Sequence, residues 1–440
     1  MKFKKKFYFI VASYFRFFAN FAFRRWHPRV IAITGSVGKT TMLNLVECTL
    51  GDKAHYSHLG NKAHYSHDAN SAYGIAFDLV NLRGVTGSKL RWFYLFLAVP
   101  LKSLFYKHQE EFYVVEIDGE RPHEAEFLAS WLKPEVTLWI SLGLSHAVQF
   151  EQQVKDGLFS SLDKAITHEF AMLPQYTQKL VIIDGEVDLM NRALDSIKQK
   201  NLTKATVIKC SKDAVKTYKV EPNHTSFLLQ GTADSVSHEY EFNRPMTKDI
   251  AIQLTMLETL VNYLKVKPRY DFSNLKLAPG RNSYFDGKNG LKIIDSSYNA
   301  HLISVKSILE MYKAMHVPHK WLVIGDIVDQ GSIEGQEHAK LADEIIKVKP
   351  EQVILIGRRT KKYTAPILKE AGLNIYTTLD PREALKFLEQ NLTGQETLLF
   401  KGSQYLEWLI EKLLKNPEEA KYLPRREKAA IKRRQKRGLN

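Results

Sequence analysis

The hydrophobic pattern of this chain changes period several times. Residues 7–23 are apolar and aromatic except for a polar row at Ser13, Arg16, Asn20 and Arg24. Steps of three, four and four between those positions predict a helix with one narrow polar stripe and a broad aromatic face. The run is shorter than the roughly 20 apolar residues that a spanning helix requires. Arg24, Arg25 and Trp26 stand where a small-residue cleavage site would follow a signal peptide, so cleavage is not expected. His27-Pro28 ends the helix. Short β-rich runs at 30–34, 112–117, 136–141 and 180–184 then alternate with helical patterns, the first from Lys39 to about Leu50. Such alternation predicts a parallel, doubly wound sheet. Residues 205–245 read as a peripheral antiparallel section and 246–265 as a long amphipathic helix. Pro and Gly punctuation from Lys267-Pro268 to Pro279-Gly280 marks the main boundary. Beyond it, strands at 291–295, 321–325, 352–357, 373–377 and 397–401 predict a second α/β domain with right-handed crossovers.

Composition narrows the class. With 440 residues, 44% hydrophobic and 25% charged, the chain can bury real cores, which excludes wholesale disorder, collagen-like repeats and a multi-span membrane protein. Cys48 and Cys210 are its only cysteines, too few for a disulfide framework or a Cys-rich zinc module. The net charge of +15 sits at the ends. Residues 1–30 carry Lys2, Lys4, Lys5, Lys6, Arg16, Arg24, Arg25 and Arg29 and no acid; residues 421–440 carry nine basic residues against Glu427. The body between them is near neutral. Such ends predict contact with an anionic surface rather than a specific nucleic-acid site. Lys-Ala-His-Tyr-Ser-His occurs at 53–58 and again at 62–67, placing His55, His58, His64 and His67 at metal-like spacings. With no carboxylate placed beside them, a duplicated strand–turn segment is the simpler reading.

The chemistry centres on Thr34-Gly35-Ser36-Val37-Gly38-Lys39-Thr40-Thr41, after a strand and opening a helix. Glycines let backbone amides close around phosphate oxygens, and the helix N-terminus adds positive potential. Lys39 is expected to reach the terminal phosphates and the Thr40 hydroxyl to hold Mg²⁺. The usual loop would need glycine at Ile33; here the paired glycine is Gly35, one of the bases for a family resemblance. The fold class is therefore α/β, a P-loop central domain with a mostly parallel sheet plus a second Rossmann-like C-terminal domain. The expected divisions are a basic aromatic segment at 1–27, the central domain at 28–268, the C-terminal domain at 269–416 and a frayed basic tail at 417–440.

This shortened loop resembles that of the Mur ligase and folylpolyglutamate synthetase superfamily, and further motifs follow in order. Glu116-Ile117-Asp118-Gly119 closes a strand, like the family's magnesium carboxylate. Ser141-Leu142-Gly143-Leu144-Ser145-His146 is similar to its N-x-G-x-x-H segment, and Asn70 to Gly74 to its substrate-side loop. Pro279-Gly280-Arg281 resembles the P-G-R that touches the nucleotide, and Asp295-Ser296-Ser297-Tyr298-Asn299-Ala300 the D-D-S-Y-N-A motif. Gly325-Asp326, Glu337-His338 and Lys401-Gly402-Ser403 complete the set, which points within the superfamily to the branch that adds a D-alanyl dipeptide to a UDP-linked muramoyl tripeptide.

The resemblance implies an ATP-dependent amide ligase of peptidoglycan precursor synthesis, working through an acyl phosphate with ATP and Mg²⁺. It implies Lys39, Glu116 and His146 as catalytic residues and Thr40, Glu116 and His146 at the metal. Gly35, Ser36, Val37, Gly38, Lys39, Thr40, Thr41, Arg281, Asp295 and Asn299 are implied at the nucleotide, between the two domains, and Asn70, Tyr298 and Lys401 at the substrate. The family's N-terminal uridine-nucleotide domain is expected to be lacking. Ser141, Ser296 and His301-Leu302 replace the family's asparagine, second aspartate and Asn-Pro, and Thr167 stands where a carbamylated lysine is expected. Either Lys164 or, preferably, Glu169 is expected to supply the missing anionic ligand. The partners implied are a small-molecule or lipid-linked carboxylate and an amine (an amino acid or dipeptide). Two rivals stand beside this reading: a ligase of the same chemistry with a lipid-linked or polymeric acceptor, and a non-catalytic ATP-binding membrane scaffold. The N-terminal helix is expected on the inner face of the cytoplasmic membrane with Arg16 turned to water, or else packed on a partner subunit or on its own domain.

Overall fold

The structure, a computed structural model, describes residues 2–56, 71–84, 88–119, 121–144, 146–231, 236–298 and 300–440, with side chains from Phe7 onward. Among these residues the chain runs α1 (Lys2–Trp26), β1 (Arg29–Thr34), α2 (Lys39–Leu50), β2 (Ala54–Tyr56), α3 (Ala72–Asp78), α4 (Lys89–Phe105), β3 (Phe112–Ile117), α5 (Glu124–Leu132), β4 (Val136–Trp139), α6 (Glu151–Lys155), α7 (Leu162–Tyr176), β5 (Leu180–Asp184), α8 (Asp188–Gln199) and β6 (Thr206–Cys210). It continues through β7 (Val215–Val220), β8 (Thr225–Gln230), β9 (Ser237–Phe242), α9 (Ile250–Leu264), β10 (Ser283–Asp286), β11 (Lys292–Ser296), α10 (Leu302–Ala314), β12 (Lys320–Gly325), α11 (Glu334–Val348) and β13 (Gln352–Ile356). It closes with α12 (Ala365–Glu370), β14 (Ile375–Thr378), α13 (Pro381–Asn391), β15 (Thr397–Lys401), α14 (Leu406–Leu413) and α15 (Lys428–Gln435). Two compact units result: Met1–Gly143 with Gln152–Ser211 and Met256–Pro268, and Leu144–Glu151 with Lys212–Thr255 and Arg269–Asn440.

The first unit is built on a six-stranded sheet in the order β2-β3-β1-β4-β5-β6, parallel throughout. Continuous apolar runs such as Val-Ile-Ala-Ile in β1 are buried on both faces, as strands covered by helices on each side require. Strand order reverses at β1, which lies between β3 and β4, and the carboxyl end of such a switch point is where α/β sheets hold ligands. Residues 206–210, read as part of an antiparallel section, instead form β6, the exposed edge of this parallel sheet; the antiparallel ladder is β7-β8-β9 alone. In the second unit a sheet in the order β10-β11-β15-β12-β13-β14 is parallel except for β10. Its switch point lies at β15, which pairs Asp295 with Phe400 and Ser296 with Lys401.

Helix α1 departs from the expectation that its polar stripe faces water. Ala12, Phe15, Ala19 and Ala22 are buried in the core of the first unit, Phe15 among Tyr73, Phe77, Trp92 and Phe96. Small residues on this row let the helix approach closely. The Tyr8 hydroxyl donates to the buried Glu124 carboxylate, and the Asn20 side-chain oxygen accepts from the Trp131 indole. Arg16 donates to the Phe127 carbonyl at 2.7 Å and lies over the Phe127 and Trp131 rings. The stripe therefore recognises α5, because these contacts recover the polar and cation–π energy that solvent would otherwise supply.

The tail is not frayed either. Arg426 and Arg434 both pair with Glu411 at 2.7 Å, and Leu439 is buried in the core of the second unit. Arg425 pairs with Glu407 and donates to the Ser297 and Tyr298 carbonyls at 3.2 and 2.8 Å. Its charge is spent on neighbouring carboxylates and carbonyls. Removing the fully buried Phe15 ring by Phe15→Ala should cost about 3–5 kcal/mol, the usual penalty for emptying an aromatic core site. Urea unfolding of the full chain measures this, and a loss under 1 kcal/mol would mean that α1 is not part of the fold.

Candidate functional site

The phosphate loop leaves β1 at Thr34 and enters α2 at Lys39. Gly35 (φ 145°) and Gly38 (φ 86°) take backbone conformations that disfavour a side chain, and a Cβ at Gly35 would meet Ile140 and Ser141 at 2.9 Å. Ser141, the departure from the family's asparagine, pins the loop: its hydroxyl accepts from Val37 N at 2.9 Å and donates to Val37 O at 2.8 Å. Ser36 makes a second tie, its hydroxyl donating to Gly143 O and accepting from Gly143 N. The backbone amides opening α2 have no side-chain cap, so this end retains the donors that phosphate oxygens take.

Parallel pairing sets the acidic residues beside this loop. Ile33 pairs with Glu116 and Thr34 with Ile117, so β3 delivers Glu116 and then Asp118 at the level of the loop. The Thr40 hydroxyl donates to Glu116 at 3.4 Å, and Lys39 donates to Gly35 O at 2.6 Å while pairing with Asp118 at 2.8 Å. Glu116 and Asp118 are both buried. A hydroxyl, two carboxylates and an ammonium thus share one small volume. That donor set fits a nucleotide phosphate with its divalent cation, since Thr40 and Glu116 offer hard oxygen ligands and Lys39 a mobile counter-charge. Asp118 follows Glu116 by two residues and reaches the same loop, and that spacing is the signal in the sequence that identifies it.

Other expected residues fall differently. Asn70 and Asn299 lie outside the described residues, as do His58, His64 and His67; His55 sits in β2 with its ring nitrogen 3.2 Å from Asp78. His146 belongs to the segment Leu144–Glu151 of the second unit, in left-handed backbone (φ 54°), its ring 5.4 Å from that of His301. Glu169 caps α5, accepting the amides of His123 and Ala125 at 2.8 and 2.7 Å, and burial lifts its carboxyl to about 7. It is committed to that helix end and is not the expected metal ligand. Lys164 is exposed, and the Thr167 hydroxyl bonds back to Asp163 O.

In the second unit, four expected residues converge at the ends of β11 and β15. Asp295 is fully buried, accepts Ser297 N at 2.9 Å on one oxygen and has no hydrogen-bond partner on the other; burial raises its carboxyl to about 6. Lys401 is also buried, its Nζ 3.4 Å from the Ser296 hydroxyl. Burial, then the nearby Arg281 charge, push its ammonium down to about 7, against the pull of Asp295. Arg281 lies over the Tyr298 ring at 4.8 Å. His301 caps α10 in place of the family's Asn-Pro, with Ser304 closing the capping box. Gly325-Asp326 and Glu337-His338 hold the fold here: Asp326 accepts from Arg359 N and Thr360 N, while His338 accepts from Ile327 N at 3.2 Å.

Residues 280–404 match the Mur ligase, glutamate ligase domain. The chain is 21% identical over 407 residues to UDP-N-acetylmuramoyl-tripeptide--D-alanyl-D-alanine ligase of Bacillus subtilis, covering 88% of this chain and 76% of that protein. It is 22% identical over 377 residues to the Escherichia coli enzyme of the same name, covering 86% and 74%. Among solved structures, a MurF ligase from Thermotoga maritima in complex with ADP superposes with a TM-score of 0.69 at 17% identity, over 93% of this chain and 84% of that one. MurF from Acinetobacter baumannii gives 0.68 at 17% identity, over 91% and 79%. The C-terminal residues 280–404 thus match a Mur ligase domain, and most of the chain is similar in sequence and fold to Mur ligases.

Proposed function

We propose that this protein is an ATP-dependent amide ligase of peptidoglycan precursor synthesis. One observation carries the reading: Lys39, Thr40, Glu116 and Asp118 meet at the mouth of a glycine loop that opens a helix. The reaction proposed joins a substrate carboxylate to an amine. A carboxylate oxygen attacks the γ-phosphorus of ATP as the bond to the β-phosphate oxygen breaks, releasing ADP and leaving an acyl phosphate. The amine nitrogen then attacks the acyl carbon, phosphate departs with the C–O electron pair, and the nitrogen gives up its proton. Lys39 neutralises charge on the transferring phosphoryl group, and exchanges Asp118 for phosphate oxygens as it does so. Thr40 and Glu116 would hold Mg²⁺, which supplies charge neutralisation at the phosphates. The amides of Gly38 to Thr41 serve the nucleotide phosphates in this proposal; in the second unit Asp295 holds its own loop through Ser297 N. Tyr298 and Lys401 serve the substrate, where a buried lysine poised near neutrality can meet an anion or accept a proton.

The proposed substrates follow the curated relatives' names: a UDP-linked muramoyl tripeptide and D-alanyl-D-alanine. A lipid-linked acceptor is the second reading, supported by the acid-free cationic N-terminal segment, and places the protein on the inner face of the cytoplasmic membrane. A non-catalytic ATP-binding scaffold is the third. Phosphate release measured with each acceptor and amine separates them: turnover requiring both a carboxylate and an amine supports a ligase, and none with any pair supports the scaffold.

Lys39→Ala should lower ligation about 10²–10³-fold, the usual cost of removing one charge-stabilising contact to a transition state, while the fold survives. Glu116→Ala should raise the magnesium concentration needed for half-maximal rate. Wild-type turnover in both would refute the assignment. Lys401 gives a pH test of a different kind. Its folded pKa of about 7 lies below that of a free lysine, so the unfolded chain binds the extra proton in between. Stability contributed by this group therefore rises as pH increases from about 7 to about 10. Lys401→Met should flatten that rise in urea midpoints measured across the range and abolish ligation; an unchanged slope would show that the lysine is not held in its neutral form.

A further inference from the structure

Helix α4 is apolar on both sides. Leu95, Ala98 and Val99 enter the core of the first unit, while Leu90, Phe93, Leu97, Leu101, Leu104 and Phe105 face outward at helical spacing. The exposure is large, 84% for Leu90 and 76% for Phe105. Helix α1 adds a parallel stripe of Phe7, Ile10, Phe17 and Phe21, also exposed. The two helices are in direct contact. The Tyr14 hydroxyl donates to Phe96 O at 2.8 Å, and the Arg25 guanidinium caps the end of α4 through the carbonyls of Ser103, Leu104 and Tyr106. Ten large apolar side chains thus lie on one pair of adjoining helices, whereas scattered single exposures are the rule on soluble surfaces.

The charge around this surface has one sign. Residues 1–46 and 79–109 contain no aspartate or glutamate, while α4 carries Lys89, Arg91 and Lys102 and α1 ends in Arg24 and Arg25. Along the other flank of α1 runs a groove of about 660 Å³ whose walls include Arg16, Arg24, Lys133 and Trp131 and no carboxylate. Phe17 lines that groove and also stands in the exposed apolar stripe. No helix among the described residues is long and apolar enough to cross a membrane. We propose that the outer faces of α1 and α4 together form a docking surface for an anionic lipid bilayer, with the apolar side chains entering the headgroup–acyl boundary and the cationic flanks meeting lipid phosphates. A second copy of the chain is the poorer occupant, because pairing this face with itself would bring two acid-free, cationic helix pairs together. The proposal is independent of the chemistry at Lys39 and extends the membrane contact from the N-terminal segment to α4.

The test is flotation of the full chain with vesicles of phosphatidylglycerol and phosphatidylcholine, and with phosphatidylcholine alone. Binding should be at least tenfold stronger to the anionic vesicles and should weaken as salt is raised. The double variant Leu97→Asp with Leu101→Asp should lose at least tenfold in vesicle binding, with an unchanged melting temperature and phosphate-loop nucleotide binding. Lys89→Glu with Arg91→Glu, which leaves the apolar stripes intact, should reduce the preference for anionic lipid and provides a second reading if the aspartate variant misfolds. Equal flotation of wild type and both variants would overturn the proposal. So would a dimer in sedimentation without lipid that the Leu97 and Leu101 substitutions dissolve, since the face would then be a contact between copies.

Discussion

Strand β1 is hydrogen-bonded on both edges, and the phosphate site depends on that double pairing. Its β3 partner brings Glu116 and Asp118 to the loop, and its β4 partner brings the segment whose Ser141 hydroxyl holds Val37. Slipping either pairing by one residue would turn the acidic side chains or the serine to the opposite sheet face. Burial on both faces makes such a slip costly, because the apolar members of β1, β3 and β4 would have to exchange surroundings as well. Core packing and site geometry are therefore one constraint.

Charge is handled in two ways in this molecule. Near the phosphate loop, opposite charges are held in contact, with Lys39 on Asp118. At the ends of β11 and β15, the surroundings move the groups toward neutrality instead: Asp295 is raised and Lys401 lowered, chiefly by burial. The first arrangement suits an ammonium that must change partners, and the second suits groups whose protonation can change near neutral pH.

Much of the fold was legible because its signals are local. Glycine punctuation, apolar runs and the loop at 34–41 placed β1, β3, β5, α2 and β15 within a residue or two. What escaped depended on tertiary partners. A carboxylate such as Glu169 has the same appearance in sequence whether it binds metal or caps α5, and only the amides of His123 and Ala125 decide it. The aromatic row of α1 is similarly silent about whether lipid or protein covers it; the alanines at 12, 19 and 22 were the available sign of a close helix contact. Helix α4 was passed over because its apolar character surrounds the axis and leaves no period to detect. The basic tail was read from composition, which carries no information about the waiting Glu407 and Glu411.

Arg425 ties the end of the chain to the loop after β11, gripping the Ser297 and Tyr298 carbonyls while Glu407 holds its charge. Pro424 also rests where any side chain at Gly280 would have to go. The carboxy-terminal residues are thus a brace for the segments carrying Arg281, Asp295 and Tyr298, although none of them need touch a reactant. This has a practical meaning for anyone handling the protein. Affinity tags, fusions or trimmed boundaries chosen because the last two dozen residues look dispensable would act on the loop after β11, and belong at neither side of Arg425.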